Sequence, residues 1–422
     1  MGIRISDLLG YQLNPKSEIL IPKSREAMDY TSLFGNLPVL ETERLQLRTY
    51  TLEDAEDLFS WASDPQMAVH TDWQPHASIE DSRETIRRRL QRCAEGRAAS
   101  FAVVLEEEAR VIGNISLMPQ WRQGAVGMGY DIGRAYWNRG YATEAARSAI
   151  GYCFDTLGMN RVEALCYPEN QASLRVMLKA GMAHEATLRE YMVIKGVHRD
   201  LHVCSILRQE WAGESAPAGE QAPKSLGQPG GEITGLFDHS LVLETERLKL
   251  RRLKMEDAND LFEYASDPEV ARYVMFEPYR SLDDSRAYRH RVLSRPPGSG
   301  SITLGMEHRE TGKLLGRIVI FLDSEHDARG ELAYTLNRSY WGHGYTVEAA
   351  KAVIDHGFRH LRLHRIQASC FPENVASARV LDKIGMSYEG TLRQYMLIKG
   401  AYQDLKMYSI LRSEWPSGEG GL

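Results

Sequence analysis

Two stretches of the chain carry the same order of apolar and polar positions. From Gly140 onward, Ala145, Ala146, Ala149, Ile150, Cys153 and Phe154 recur at helical spacing up to Gly158, where a left-handed stop is expected. One face of a helix is thereby marked for burial. Val162, Ala164 and Cys166 then alternate with Arg161, Glu163 and Leu165, which is the period of a strand. Asn170, closing a Pro-Glu-Asn turn, is placed to cap a second helix that ends at Gly181. The pattern returns from Trp341 to Gly385, with Trp341 and Asn374 each 204 residues beyond Trp137 and Asn170. A period of that length marks a duplicated domain rather than a solenoid.

The rest of each copy follows in parallel. A strand opens it, Glu41 to Arg48 or Glu244 to Arg251, and an acidic helix containing Glu53-Asp54 or Glu256-Asp257 runs to Asp64-Pro65 or Asp267-Pro268. A second helix is predicted to begin near Ser78 or Ser281. Two strands follow, Phe101 to Leu105 with Val111 to Leu117, and Ser301 to Glu307 with Leu315 to Leu322. The domain map is an N-terminal extension (1–36), a first domain (37–211), a flexible Gly/Pro/Ala-rich linker (212–240), a second domain (241–416) and a tail (417–422). The linker's reach admits both a homodimer-like pairing of the two domains and domains held apart.

Composition narrows the function. The 422 residues are 43% hydrophobic and 26% charged, the proportions of an ordinary globular protein, with room for two cores. A net charge of −6 argues against a nucleic-acid binder held by phosphate neutralisation. The five cysteines show neither metal-ligand nor redox spacing, so they are read as reduced core residues of a cytoplasmic protein without a metal site. No apolar run reaches membrane-spanning length.

Chemistry concentrates at the loop that opens the repeated helix. Arg139, Gly140, Tyr141, Ala142 and Thr143 lie where unpaired backbone N–H groups and the positive end of the helix dipole favour a phosphate. The second copy places His343, Gly344, Tyr345 and Thr346 there. The WNRGYATEA and Pro-Glu-Asn-x-x-Ser arrangement, together with the openings LETERLQLR and LETERLKLR and the endings SILRQEW and SILRSEW, resembles the GNAT superfamily of N-acetyltransferases, in its RimJ/RimL-like branch. The resemblance covers both halves. It implies an α/β (α+β) architecture of two tandem GNAT folds, each a mixed, mostly antiparallel sheet flanked by helices.

The same resemblance implies acetyl-CoA as cosubstrate, with its pyrophosphate on the loop backbone and its pantetheine between two splayed strands. Those strands are Gly127 to Ile132 with Arg161 to Tyr167, and Glu331 to Leu336 with Arg365 to Phe371; Ile132, Leu336, Asn170 and Asn374 are assigned to the cofactor. The loop departs from the superfamily signature in opening on Trp137 and Trp341, and Thr346 replaces the small residue that Ala142 supplies, an expected source of crowding at the phosphate. The family's strand carboxylate maps to Glu331, the candidate general base, but to Gly127 in the first copy. Asp131 is the first copy's substitute on the same strand face, roughly 13 Å away at strand rise. Ser173 and Ser377 are assigned to the departing thiolate.

The expected reaction is direct acetyl transfer to a primary amine, either a protein N-terminus or a small molecule. The alternative is an acyl-CoA-binding sensor or scaffold in which one or both domains are catalytically vestigial. The segments around His70, Asp72 and Trp73 and around Tyr273, Met275 and Phe276 differ, with the second more apolar, so the two acceptor pockets are expected to differ.

Overall fold

The computed structural model describes residues 34–120, 122, 124–211, 241–294 and 300–416. The predicted linker and C-terminal tail, and all but the last three residues of the predicted extension, lie outside them. The chain divides into two compact units. Each carries one copy of the repeat.

In the first unit, β1 (Leu40–Glu41) and β2 (Leu45–Thr49) lead into α1 (Ala55–Ala62) and α2 (Ile79–Ala94). Ser78 caps α2, and Asp81 bonds back to the Ser78 N–H, which fixes the start predicted from sequence. Strands β3 (Ala99–Leu105), β4 (Arg110–Pro119) and β5 (Ala125–Ile132) form a meander, followed by α3 (Tyr141–Gly151), β6 (Arg161–Cys166), α4 (Gln171–Lys179), β7 (Ala183–Ile194), β8 (Val197–Leu207) and the short α5 (Arg208–Trp211). The strand order is β1-β2-β3-β4-β5-β6-β8-β7. Every adjacent pair is antiparallel except β5 with β6.

The second unit repeats this plan. It comprises β9 (Leu243–Glu244), β10 (Leu248–Arg251), α6 (Ala258–Ala265), α7 (Pro268–Ala271), α8 (Leu282–Leu293), β11 (Ser301–His308), β12 (Leu314–Ser324), β13 (Arg329–Leu336), α9 (Tyr345–Arg359), β14 (Arg365–Cys370), α10 (Val375–Lys383), β15 (Ser387–Ile398) and β16 (Ala401–Leu411). Its order is β9-β10-β11-β12-β13-β14-β16-β15, with β13 and β14 parallel. Among the described residues, no helix is long and apolar enough to cross a membrane.

Each sheet carries a core on both faces. In the first unit Ala145, Ala146, Ala149 and Ile150 of α3 pack with Ile115, Val126 and Val162, while Leu58 and Trp61 of α1 and Ile86 of α2 cover the opposite face over Ala102 and Val104. The second unit does the same with α9 on one face and α6 with α8 on the other. Two elements depart from expectation. The single opening strand predicted in each copy is instead a pair of short antiparallel strands, β1 with β2 and β9 with β10, because the chain turns back at Thr42 and Thr245. The helix after Gly140 is regular only to Gly151, then continues as a π turn over Tyr152–Thr156, where the Trp211 ring lies against Gly151. All five cysteines are free and buried.

Candidate active site

The site of each unit is built by strands whose pairing stops short. The parallel β5–β6 ladder joins Ala125 to Arg161, Val126 to Val162 and Gly127 to Glu163, and goes no further. The β13–β14 ladder likewise stops at Glu331 opposite Gln367. Beyond these rungs the two strands are no longer paired with each other, which leaves peptide groups on their facing edges without a ladder partner. Ile132 and Leu336 close the far ends of β5 and β13, and their carbonyls accept from the indoles of Trp137 (2.6 Å) and Trp341 (2.8 Å). The tryptophans that replace the family's polar residue therefore pin the loop to the strand.

The loop itself turns on glycine. Gly140 and Gly344 sit at φ 87° and 83°, in the left-handed region that disfavours other residues, and neither supplies a side-chain cap to its helix. The first N–H groups of α3 and α9 thus remain available for an anion. A clamp that sequence reasoning missed holds each loop in place. Glu144 accepts from Thr42 Oγ1 (2.7 Å) and the Arg44 backbone N–H (2.9 Å), and it pairs with the Arg44 guanidinium (2.6 Å). Arg44 also donates to the Arg139 carbonyl (3.0 Å) and lies over the Tyr141 ring. Thr245, Arg247 and Glu348 repeat this contact for contact, with Arg247 donating to the His343 carbonyl and lying over Tyr345. The signal was in the sequence, where the Thr-Glu-Arg of both openings and a Glu four residues after each loop glycine recur together.

The other predicted residues fall as follows. Ala142 is half-buried and Thr143 follows it in the first turn of α3, whereas Thr346 is buried. Asn170 and Asn374 cap α4 and α10, accepting from the N–H groups of Ser173 (3.1 Å) and Ser377 (3.0 Å). The two serine hydroxyls each lie 2.8 Å from a tyrosine hydroxyl, Tyr130 on β5 and Tyr334 on β13. Burial pushes both phenols above their ordinary range, so both stay protonated.

The carboxylates differ between units. Glu331 is half-buried, and desolvation, aided by the Asp323 charge, pushes it up to about 7; Gln367 and Arg329 oppose the shift. Arg329 is itself occupied by Asp323 (2.6 Å) and Asp327 (3.4 Å). In the first unit, Gly127 stands opposite a carboxylate that sequence reasoning overlooked. Glu163 is buried and pairs with Arg122 and with Arg161 Nε (3.2 Å). Burial raises its pKa, but the two guanidiniums outweigh that and hold it below the ordinary value. Asp131, the expected substitute, lies opposite Asn114, four positions from Gly127.

These features, a parallel pair whose ladder stops short, an uncapped helix behind a left-handed glycine and a paired Ser–Tyr, occur twice in the same order. The description "Acetyltransferase (GNAT) domain" matches residues 44–183 and again residues 247–387. The chain belongs to the GNAT acetyltransferase family. It is an N-acetyltransferase with two tandem GNAT domains. An uncharacterized N-acetyltransferase of Bacillus licheniformis, p20, is 35% identical over 173 residues, 41% of this chain and 97% of that protein. The spermidine N(1)-acetyltransferase of Escherichia coli K12 is 24% identical over 169 residues, 40% of this chain and 88% of that protein. Among solved structures, a GNAT-family acetyltransferase from Bacillus anthracis is 27% identical, covering 41% of this chain and 99% of that one, with a TM-score of 0.38.

Proposed function

We propose that the chain acetylates a primary amine, a protein N-terminus or a small molecule, by direct transfer from acetyl-CoA, with the second domain carrying the proton-abstracting step. The observation that carries this reading is Glu331, a carboxylate on the last rung of the β13–β14 pair whose affinity for a proton is matched to neutral pH.

Bound acetyl-CoA supplies the acetyl group as a thioester. The unpaired strand edges and the uncapped helix fit an elongated ligand with phosphates at one end. In each domain the loop N–H groups around Gly140 or Gly344 are assigned to the phosphates, with Arg44 or Arg247 holding the loop rigid and offsetting the charge of the first-turn glutamate. Peptide N–H groups of β5 and β13 released from pairing are assigned to the carbonyl oxygen, where fixed donors contribute most to acyl transfer. Glu331 takes the proton that the amine must lose. Ser173 and Ser377, each backed by a buried tyrosine, are assigned to the departing sulfur.

For the first domain a second reading is favoured by Glu163. A carboxylate held between two guanidiniums is a poor proton acceptor near pH 7. That domain then serves as an acyl-CoA-binding partner, or acts on an amine that is neutral already. Calorimetric titration of the full chain with acetyl-CoA, alongside turnover of the wild type and Glu331→Gln on an amine panel, tests both readings. Two binding sites with turnover dependent on Glu331 are expected. One site, or turnover indifferent to Glu331, overturns the assignment.

A further inference from the structure

The second domain's acceptor face holds a cation with no counter-charge. Register pairs Phe321 with Glu331, Val319 with Ala333 and Arg317 with Thr335, so Arg317 and Glu331 share one face of β12–β13. They stand four positions apart, roughly 13 Å at strand rise. The opposite face carries Ile318, Ile320, Leu332 and Leu336 into the α9 core. Arg317 is half-buried, and its guanidinium carbon lies 4.4 Å from the Tyr288 ring centroid and 5.5 Å from that of Phe276. The apolar segment at Phe276 is thus one wall of a charged site.

Stacking uses the faces of a guanidinium and leaves its edge donors unspent. Among the described residues no carboxylate pairs with Arg317, and the nearby acids are engaged elsewhere. Asp257 is bound by Arg251 (2.8 Å), Asp260 accepts from the Leu314 N–H (2.9 Å), and Asp284 caps α8 by accepting from the N–H groups of Arg280 and Ser281. Deeper in the same layer the Tyr264 hydroxyl and Ser285 Oγ are buried and, among the described residues, without a partner, and both are sealed from solvent. The half-buried guanidinium edge of Arg317 is therefore the donor of this cluster that an acceptor from outside can reach.

Among the described residues the first domain has no counterpart of the Arg317 guanidinium, although Trp61 Nε1 is buried without a partner at the position of Tyr264. Asn114 replaces Arg317 and donates to Ser116 Oγ (3.0 Å), and Ser82 is satisfied by His76 (2.8 Å). The geometry points to an oxyanion-binding subsite, centred on Arg317 and walled by Tyr288 and Phe276, that selects amines bearing a carboxylate or phosphate several bonds from the reacting nitrogen and disfavours polyamines. It rests on the reading of the second domain as the acetylating one.

The test uses the full chain and amines of matched length: 6-aminohexanoate, 5-aminopentyl phosphate, 6-aminohexanamide and 1,6-diaminohexane. The wild type is expected to favour one or both anionic amines over the amide about tenfold to a hundredfold in kcat/KM, with the diamine poorest. In Arg317→Gln that preference collapses through a rise in KM for the anionic amines that far exceeds any change for the amide; Arg317→Lys restores part of it. Comparing the two anionic amines separates carboxylate from phosphate. Calorimetric binding of N-acetyl-6-aminohexanoate and of N-acetyl-5-aminopentyl phosphate to wild type and Arg317→Gln needs no catalysis. If Glu331→Gln leaves turnover intact yet one of these binds about tenfold more weakly to Arg317→Gln, the subsite stands and the base assignment falls. Equal use of amide and anionic amines, or equal binding of both ligands by the two proteins, overturns the subsite.

Discussion

Glu331 stands opposite Gln367 on the last rung of the parallel β13–β14 pair, and at the equivalent rung of the first domain Gly127 stands opposite Glu163. The carboxylate has changed strands between copies. Its surroundings changed with it, from a desolvated position beside Asp323 that raises its proton affinity to a place between two guanidiniums that lowers it. On the proposed function, Glu331 accepts the proton of the amine, whereas Glu163 is held as an ion by its two guanidiniums.

This difference makes one substitution act in opposite directions. Glu163→Gln removes the carboxylate that Arg122 shares with Arg161; Arg161 keeps Glu185 (2.6 Å), and the lost buried pairing costs about 3 kcal/mol. Thermal unfolding of the variant is expected at a clearly lower temperature. Acetyl-CoA binding by the second domain is expected to persist.

Glu331→Gln is expected to stabilise at alkaline pH. The folded state holds the Glu331 proton up to about 7, whereas the unfolded chain releases it near an ordinary carboxylate value of about 4.3. The native state therefore binds more protons across that window, and stability falls as pH rises from the lower value through the upper one. The variant lacks this decline. Melting temperatures of both proteins at pH 5 and pH 8 check the sign: the variant gains on the wild type at the higher pH.

Tyr334→Phe removes the hydroxyl 2.8 Å from Ser377 Oγ. A neutral hydrogen bond of about 1 kcal/mol corresponds to a loss of about fivefold in kcat. Acetyl-CoA affinity is expected to hold. Because the two hydroxyls act as a unit, Tyr334→Phe with Ser377→Ala is expected to cost little more than Ser377→Ala alone, a non-additivity that a double-mutant cycle in kcat measures.

Local signals carried much of this architecture. The period of the α3 and α9 stretches, the caps at Ser78, Asn170 and Asn374, and the loop glycines are all set by residues within a few positions of one another. What escaped was set by register. Gly127 and Glu163 are 36 residues apart, and Arg44 meets Glu144 across 100, so no window of local sequence contains either pair. The exchange of Gly/Glu for Glu/Gln became visible only when the rungs of the two ladders were laid side by side. The Arg317 site was hidden for a related reason, because its aromatic walls come from α8 and from a segment between helices that differs between the copies.

The most direct test of the account is the ratio of kcat/KM for wild type to that for Glu331→Gln in the full chain, followed from pH 5.5 to 9 with one amine. Taking the ratio cancels the titration of the amine itself. The account predicts a ratio of about four at pH 5.5, rising through a midpoint of about 7 to about a hundredfold, the reach of general base catalysis. A ratio that stays flat across the range would contradict it.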